Sequence, residues 1–200
     1  MNTRLRQGFA ALSLSVLATN SFAANLSASR EIVVDRPPAV VWKLVGAFDS
    51  LDVWLPPVRA STYSGAPTEP GAVRVLYLGN GASVTEELVS YSGANYSYSY
   101  KFLKSPLPVR NYVATIELSG AADGRTLIRW HSTFDAAGAP DDQAREAILG
   151  IYDAGLKKVA AIFSQESSAR SSSRCISGQP TRPPAAIPGV TTCRPQRYQR

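Results

Sequence analysis

The amino-acid sequence predicts an α+β fold in which a curved antiparallel sheet of seven strands wraps around one long C-terminal helix. Three observations predict it. Most of the chain alternates apolar and polar residues with period two, in short segments separated by turn signals. A single long stretch near the end instead repeats apolar residues at helical spacing. Between the first strand and the rest, two short segments are typical of helical turns.

The first elements follow from proline positions. Arg30–Val34 is predicted to be the first strand, after a short leader over 24–29. Asp35-Arg36-Pro37-Pro38 ends it and begins a helix over Ala39–Val45, because proline suits the first helical turn. A second helical turn over Ser50–Trp54 ends before Pro56-Pro57.

Six further strands are predicted from Val58 onward. Asn80-Gly81 suits a tight hairpin turn, and the Asp123-Gly124 pair marks another turn. Because consecutive strands joined by such turns pair antiparallel, the six form an unbroken antiparallel run. Their predicted ranges are Val58–Tyr63, Ala72–Leu78, Ser83–Tyr91, Tyr96–Phe102, Arg110–Ser119 and Arg125–Phe134.

The long helix is predicted over Asp141–Phe163. Asp141 and Asp142 lie near its start and Lys157 and Lys158 near its end, which matches the helix dipole. Its apolar stripe is one-sided, so the helix must lie on a sheet. The curved sheet that holds such a helix tends to leave a space between them, and such spaces bind ligands.

Charge excludes one class of partner. The net formal charge is +6, but the excess lies at the two ends. Arg4 and Arg6 precede any predicted element, and the serine-, proline- and arginine-rich tail over 165–200 contributes most of the rest. The central domain, 24–164, is nearly neutral, so it lacks the basic patch that a nucleic-acid-binding protein needs. The tail cannot bury enough apolar surface to fold and is predicted to be disordered.

Residues 1–23 are typical of a secretory signal peptide. A charged start is followed by the apolar segment Phe9–Ala18 and by Ser21-Phe22-Ala23, which suits cleavage after Ala23. The apolar segment is too short to span a bilayer comfortably, although an uncleaved anchor is the alternative. We therefore expect an exported protein, periplasmic in a bacterium, without stable membrane insertion after cleavage. In that compartment Cys175 and Cys193 could form a disulfide, but they cannot complete a metal site without histidines nearby.

The sequence resembles the START/Bet v 1-like (SRPBCC) superfamily, and within it the small domains of polyketide cyclase/dehydrase type. The likeness covers about Arg30 to Phe163, nearly the whole predicted domain. It is carried by the following segments: Val41–Phe48 leading to Trp54-Leu55-Pro56, Gly71–Arg74, Ser105–Tyr112, Trp130, and Phe134–Pro140.

This resemblance implies a helix-grip fold with an internal cavity for a small hydrophobic or amphipathic molecule. It implies no catalytic residue, because the family has no universal catalytic motif to transfer. The export signal and the Phe134-to-Phe163 stretch are also similar to MxaD-type periplasmic proteins, which are associated with methanol dehydrogenase and its cytochrome partner. The resemblance therefore also implies a periplasmic protein partner as an alternative role.

The run from Tyr96 to Phe102 is the most informative segment for a site. Alternation places Tyr96, Tyr98, Tyr100 and Phe102 on one face of the sheet. Tyrosine combines a large apolar surface with one hydroxyl, which suits the wall of a pocket. The same residues would serve equally as an aromatic core packed directly on the last helix.

Glu86 and Arg110 are predicted to point inward with the apolar residues of their strands. A buried charge is costly unless it is paired, so the two would need each other or a polar ligand. Two alternatives stay open. Arg110 lies at a strand end where it could reach solvent, and a bulge would make Glu87 the inward residue.

Other candidates have structural explanations that compete with functional ones. Trp130 and Phe134 are core or cavity wall, and Trp54 could flank a pocket mouth. His131 is out of phase with Trp130 and is predicted to point outward, with no nucleophile nearby. Asp49 and Asp52 suit a helix cap better than a catalytic pair.

We thus expect a periplasmic binding or carrier protein with no metal, no cofactor and no assigned catalytic residue. An accessory interaction protein and a cyclase/dehydrase-type enzyme using Glu86 as its base are the alternatives. The predicted cavity-lining residues are Trp54, Glu86, Tyr96, Tyr98, Tyr100, Arg110, Tyr112, Trp130, Phe134 and Tyr152.

Overall fold

The computed structural model describes residues 26–176, with side chains described for 26–165 apart from Asp123. The predicted α+β fold is confirmed: one seven-stranded antiparallel sheet curves around a long C-terminal helix. The strands are β1 (Leu26–Val34), β2 (Val58–Ser64), β3 (Val73–Leu78), β4 (Ser83–Ser92), β5 (Ser97–Lys104), β6 (Val109–Gly120) and β7 (Thr126–Ala136). The helices are α1 (Pro38–Val45), α2 (Leu51–Trp54) and α3 (Asp141–Ile176).

The sheet order is β1-β7-β6-β5-β4-β3-β2, so the six strands from β2 to β7 form a meander and β1 joins at the far edge beside β7. Register shifts interrupt the β4–β5 pair at Thr85/Glu86 and at Leu88/Ser90, and the β6–β7 pair between Arg110 and Val113. Such bulges bend a strand and increase its twist, which curls this sheet toward α3.

Most strand boundaries lie within two residues of the sequence predictions, and two of the differences have a clear physical reason. β1 begins at Leu26, because the alternation of buried and exposed residues already starts there and pairs Leu26 with Phe134. β5 begins at Ser97, because Tyr96 lies in the preceding turn with a φ of 50°. Left-handed backbone of this kind ends a strand.

α3 is longer than predicted. It continues beyond Phe163 to Ile176, so the first part of the tail predicted to be disordered is helical. No glycine or proline interrupts this stretch, and extending an existing helix costs little. Residues 1–25 and 177–200 lie outside the described residues, and with them the predicted signal peptide, most of the tail and Cys193, as does the side chain of Cys175.

The helices cover the concave face of the sheet unequally. α3 packs mainly against β1 and β7, while α2 packs against β2 and α3. The apolar core lies between these layers and includes Trp54, Trp130 and Tyr152, all at most 1% exposed. Among the described residues, no helix combines the length and hydropathy needed to cross a membrane.

Candidate ligand-binding site

A cavity of about 150 Å³ lies between the β3–β6 part of the sheet and the segments that cover it. Here α3 contributes only Ile151, because the helix is centred over the opposite half of the sheet. The space is partly open to solvent. Its lining is Leu51, Leu55, Pro57, Val58, Leu76, Leu78, Val84, Glu86, Tyr100, Phe102, Leu107, Tyr112, Trp130 and Ile151.

Burial separates the floor of this cavity from its rim. The floor residues, such as Leu76, Val84 and Tyr100, are buried. The rim is defined by the lining residues that keep partial or full exposure: Pro57, Leu78, Phe102, Leu107 and Ile151. All five rim residues are apolar, so a molecule entering the cavity passes no charged lining group.

Glu86 is the charged residue among those that line the cavity, and its partner is Arg74. The Arg74 Nε–H donates to Glu86 Oε2 over 2.5 Å, and Arg74 Nη1 donates to the Phe48 carbonyl oxygen over 2.6 Å. The two residues lie directly opposite each other on β4 and β3, and both are at most 3% exposed. The guanidinium carbon also lies 4.1 Å from the centre of the Phe48 ring and 5.0 Å from that of Tyr100, which adds cation–π attraction.

Burial and the charge of the partner act in opposite directions on the pKa of each residue in this pair. Burial raises the pKa of the Glu86 carboxyl above its ordinary value, and the Arg74 guanidinium offsets only part of that rise. Burial also lowers the pKa of Arg74, but the charge and hydrogen bond of Glu86, together with Tyr98 and Tyr100, more than offset it, so the guanidinium stays protonated. The cavity therefore contains a carboxyl that accepts a proton more readily than an exposed glutamate.

A hydrogen-bonded aromatic network forms the back of the cavity. Trp130 Nε1 donates to the Tyr100 hydroxyl over 3.0 Å, and the hydroxyls of Tyr112 and Tyr152 are 2.7 Å apart. The Trp130 and Tyr152 rings stack with centroids 4.3 Å apart. Burial raises the pKa of all three tyrosines, so they remain neutral hydroxyls.

The predicted site residues fall into three groups. Four of the ten line the cavity, namely Glu86, Tyr100, Tyr112 and Trp130. Another four are buried behind the wall in the core, namely Trp54, Tyr98, Phe134 and Tyr152. Tyr96 and Arg110 lie outside it: Tyr96 is in a turn, with its ring 5.8 Å from that of Trp42.

The prediction that Arg110 points inward with Glu86 is wrong, and the alternative that Arg110 reaches solvent is the arrangement observed. The Arg110 side chain is 67% exposed, and its Nε lies 3.6 Å from Asp135 Oδ2. The cause is the β6 bulge, where Asn111 has a φ of 52° and donates from Nδ2 to Asp135. An extra residue changes the phase of a strand by one, so Val109 and Tyr112 are buried there and Arg110 is not.

Arg74 is the buried partner that the sequence reasoning missed. A usable signal was present, because strands of a tight hairpin pair symmetrically about their turn. Counting outward from Asn80 places Arg74 opposite Glu86.

The alternative that Glu87 points inward is also resolved: Glu87 pairs with Lys101 over 2.8 Å on the more exposed face. His131 lies 3.8 Å from Glu117 with 41% of its side chain exposed, as its phase predicted.

The chain belongs to the polyketide cyclase/dehydrase and lipid transport family, which it matches over residues 25–163. No curated protein matches the chain.

Solved structures of the same fold come from several bacteria. The XoxI protein of Bacillus cereus is 29% identical with a TM-score of 0.65, and the match covers 68% of this chain and 94% of XoxI. A Thermobifida fusca protein is 31% identical with a TM-score of 0.61, covering 70% of this chain and 93% of its own. A Nitrosospira multiformis protein is 25% identical with a TM-score of 0.63, and the match covers 72% of this chain and 99% of that protein.

Proposed function

We propose that this member of the polyketide cyclase/dehydrase and lipid transport family is a binding or carrier protein for a small hydrophobic or amphipathic molecule. The observation that carries the proposal is the cavity of about 150 Å³, with its apolar floor and its open, uncharged rim. An apolar cavity of this size is large enough to hold a ring the size of benzene. Burial of such a ligand against apolar walls supplies the driving force.

We also propose that the protein works outside the cytosol, in the periplasm if its source is a bacterium. The support is the charged and apolar pattern over residues 1–23, with small residues before the predicted cleavage site. The family domain begins at residue 25, so removal of these residues would leave it whole.

An enzyme is the second candidate, and one observation favours it. The Glu86 carboxyl lies in the wall of an open cavity, and burial raises its pKa toward the range in which a general acid or base is effective. Dehydration or cyclisation of a bound carbonyl compound would need such a group. Binding is the better supported function, because the bond from Arg74 already holds one carboxylate oxygen of Glu86.

Native mass spectrometry of the protein purified from its own cell envelope tests the proposal. We expect a small molecule to leave the protein under collisional activation. Val84→Phe places an aromatic ring into the cavity from its floor, whereas Val113→Phe places the same ring at a position that is 40% exposed. The first variant should lose the bound mass and the second should keep it.

Two results would contradict carriage. Retention of the same mass by Val84→Phe would place the ligand elsewhere. A co-purifying protein, with no small molecule in any variant, would favour the accessory role instead.

A further inference from the structure

We infer that the ligand is a neutral molecule of about one aromatic ring that carries a hydrogen-bond donor, and that this donor binds Glu86 Oε1. This inference rests on the proposed binding function and narrows it to a ligand class. It follows from three properties of the cavity: one unshared acceptor, a balanced charge and a limited volume.

The acceptor is the first property. Oε2 of Glu86 accepts the Nε–H of Arg74, and within the described residues no other donor contacts this carboxylate. Oε1 is thus left for the cavity that Glu86 lines. A carboxylate oxygen in an otherwise apolar cavity wall accepts a strong hydrogen bond, so a ligand that supplies a donor gains more here than an equally large hydrocarbon.

The charge balance is the second property. The Arg74 guanidinium compensates the Glu86 carboxylate at hydrogen-bond distance, so a cationic ligand would add an unbalanced positive charge beside Arg74. An anionic ligand would instead face the free oxygen of Glu86. Neither charge meets a compensating group on the rim, where all lining residues are apolar. Because an unpaired charge is expensive to bury, the cavity favours a neutral ligand.

Size and wall chemistry form the third property. A volume of about 150 Å³ accommodates a single ring. The rings of Phe102 and Tyr112 stack with centroids 3.9 Å apart and, with Tyr100 and Trp130, give the wall several aromatic faces. Such faces form offset or edge-on contacts with an aromatic ligand.

Calorimetric titration with phenol and toluene tests this inference, because the two probes have similar size and differ in the donor. The test variant is Arg74→Met combined with Glu86→Met, which removes both charges together and leaves no buried charge unpaired. We expect the preference for phenol over toluene, measured as a ratio of Kd values, to fall at least tenfold in this double variant. Toluene binding should persist in it and thereby show that the cavity remains.

A second measurement needs no variant. The carboxyl carbon resonance of Glu86 in the unaltered protein should shift on titration with phenol and stay in place with toluene. Benzoate and benzylamine should bind at least tenfold more weakly than phenol at pH 7.

The outcomes separate the two levels of the proposal. Binding of neither phenol nor toluene would overturn the proposed function along with the ligand class. An unchanged phenol preference in the double variant, a Glu86 resonance indifferent to phenol, or tighter binding of benzoate or benzylamine would overturn the ligand class alone.

Discussion

Arg74 on β3 and Glu86 on β4 lie directly opposite each other across a hairpin, and the Arg74 Nε–H donates to Glu86 Oε2 inside the apolar core. Arg74 has no exposed surface, and Glu86 keeps 3%, at the cavity. The pair therefore links the stability of the sheet to the chemistry of the candidate site.

Removing one member of this pair should destabilise the protein strongly. Arg74→Met leaves the Glu86 carboxylate buried without its charged partner, so we expect a loss of about 3–5 kcal/mol in the free energy of unfolding. The double variant Arg74→Met/Glu86→Met should recover most of this loss. Urea denaturation measures both values.

The exposed pair of Lys101 and Glu87 offers a matched control, because Glu87 is adjacent to Glu86 in sequence. Lys101→Met should cost less than about 1 kcal/mol. Equal losses in the free energy of unfolding for Arg74→Met and Lys101→Met would contradict a special contribution of the buried pair to stability.

The raised pKa of Glu86 gives stability a defined pH dependence. A group that holds its proton more tightly in the folded state stabilises the protein below its ordinary pKa of 4.5, and this contribution is lost as pH rises through the folded-state value. The stability of the unaltered protein relative to Glu86→Gln should therefore fall as pH rises above 4.5. Denaturation curves of both proteins at several pH values measure this relative stability. If the unaltered protein instead became more stable relative to Glu86→Gln as pH rises, Arg74 would outweigh burial.

Alkaline pH tests the burial of Tyr98. Burial raises its pKa from 10 to about 12, so an unfolded chain releases this proton at lower pH than the folded one. Stability should fall between these values, and Tyr98→Phe should remove about 2–3 kcal/mol of that fall. Tyr63→Phe is the control, because Tyr63 is 55% exposed. Equal slopes for the two variants would contradict the buried position of Tyr98.

Two glycines of α3 should respond in opposite ways to alanine. A methyl group on Gly155 would lie 2.9 Å from Trp130 Cζ3 and 3.1 Å from Trp54 Cζ3, so Gly155→Ala should cost roughly 1–3 kcal/mol through overpacking. Gly150 has nothing within 4 Å of such a methyl group, and Gly150→Ala should stabilise by roughly 0.5–1 kcal/mol through helix propensity. Thermal unfolding distinguishes the two, and a stabilising Gly155→Ala would mean that α3 lies farther from these tryptophans.

The sequence predicted the strands and helices well because their signals are local. Alternation along β4, the Asn80-Gly81 turn and the apolar stripe of α3 each act over a few residues. The late start of β5 came from the left-handed backbone of Tyr96, which alternation does not encode, whereas the early start of β1 follows an alternation that already begins at Leu26.

The candidate site was harder to predict, since it depends on tertiary arrangement. Glu86 was placed inside, but the bulge at Asn111 turned its predicted partner Arg110 outward. Whether an inward aromatic residue lines the cavity or fills the core depends on where α3 lies. Tyr100 and Tyr98 share a face of β5, yet only Tyr100 reaches the cavity.

The central claim is that a small molecule occupies the space between β3–β6 and α2. Nuclear Overhauser effects between bound toluene and methyl-labelled protein test it most directly. The account predicts cross-peaks to the methyl groups of Leu76, Val84 and Ile151, which line the cavity. Cross-peaks confined to exposed methyl groups such as those of Val113, or no binding by either toluene or phenol, would contradict it.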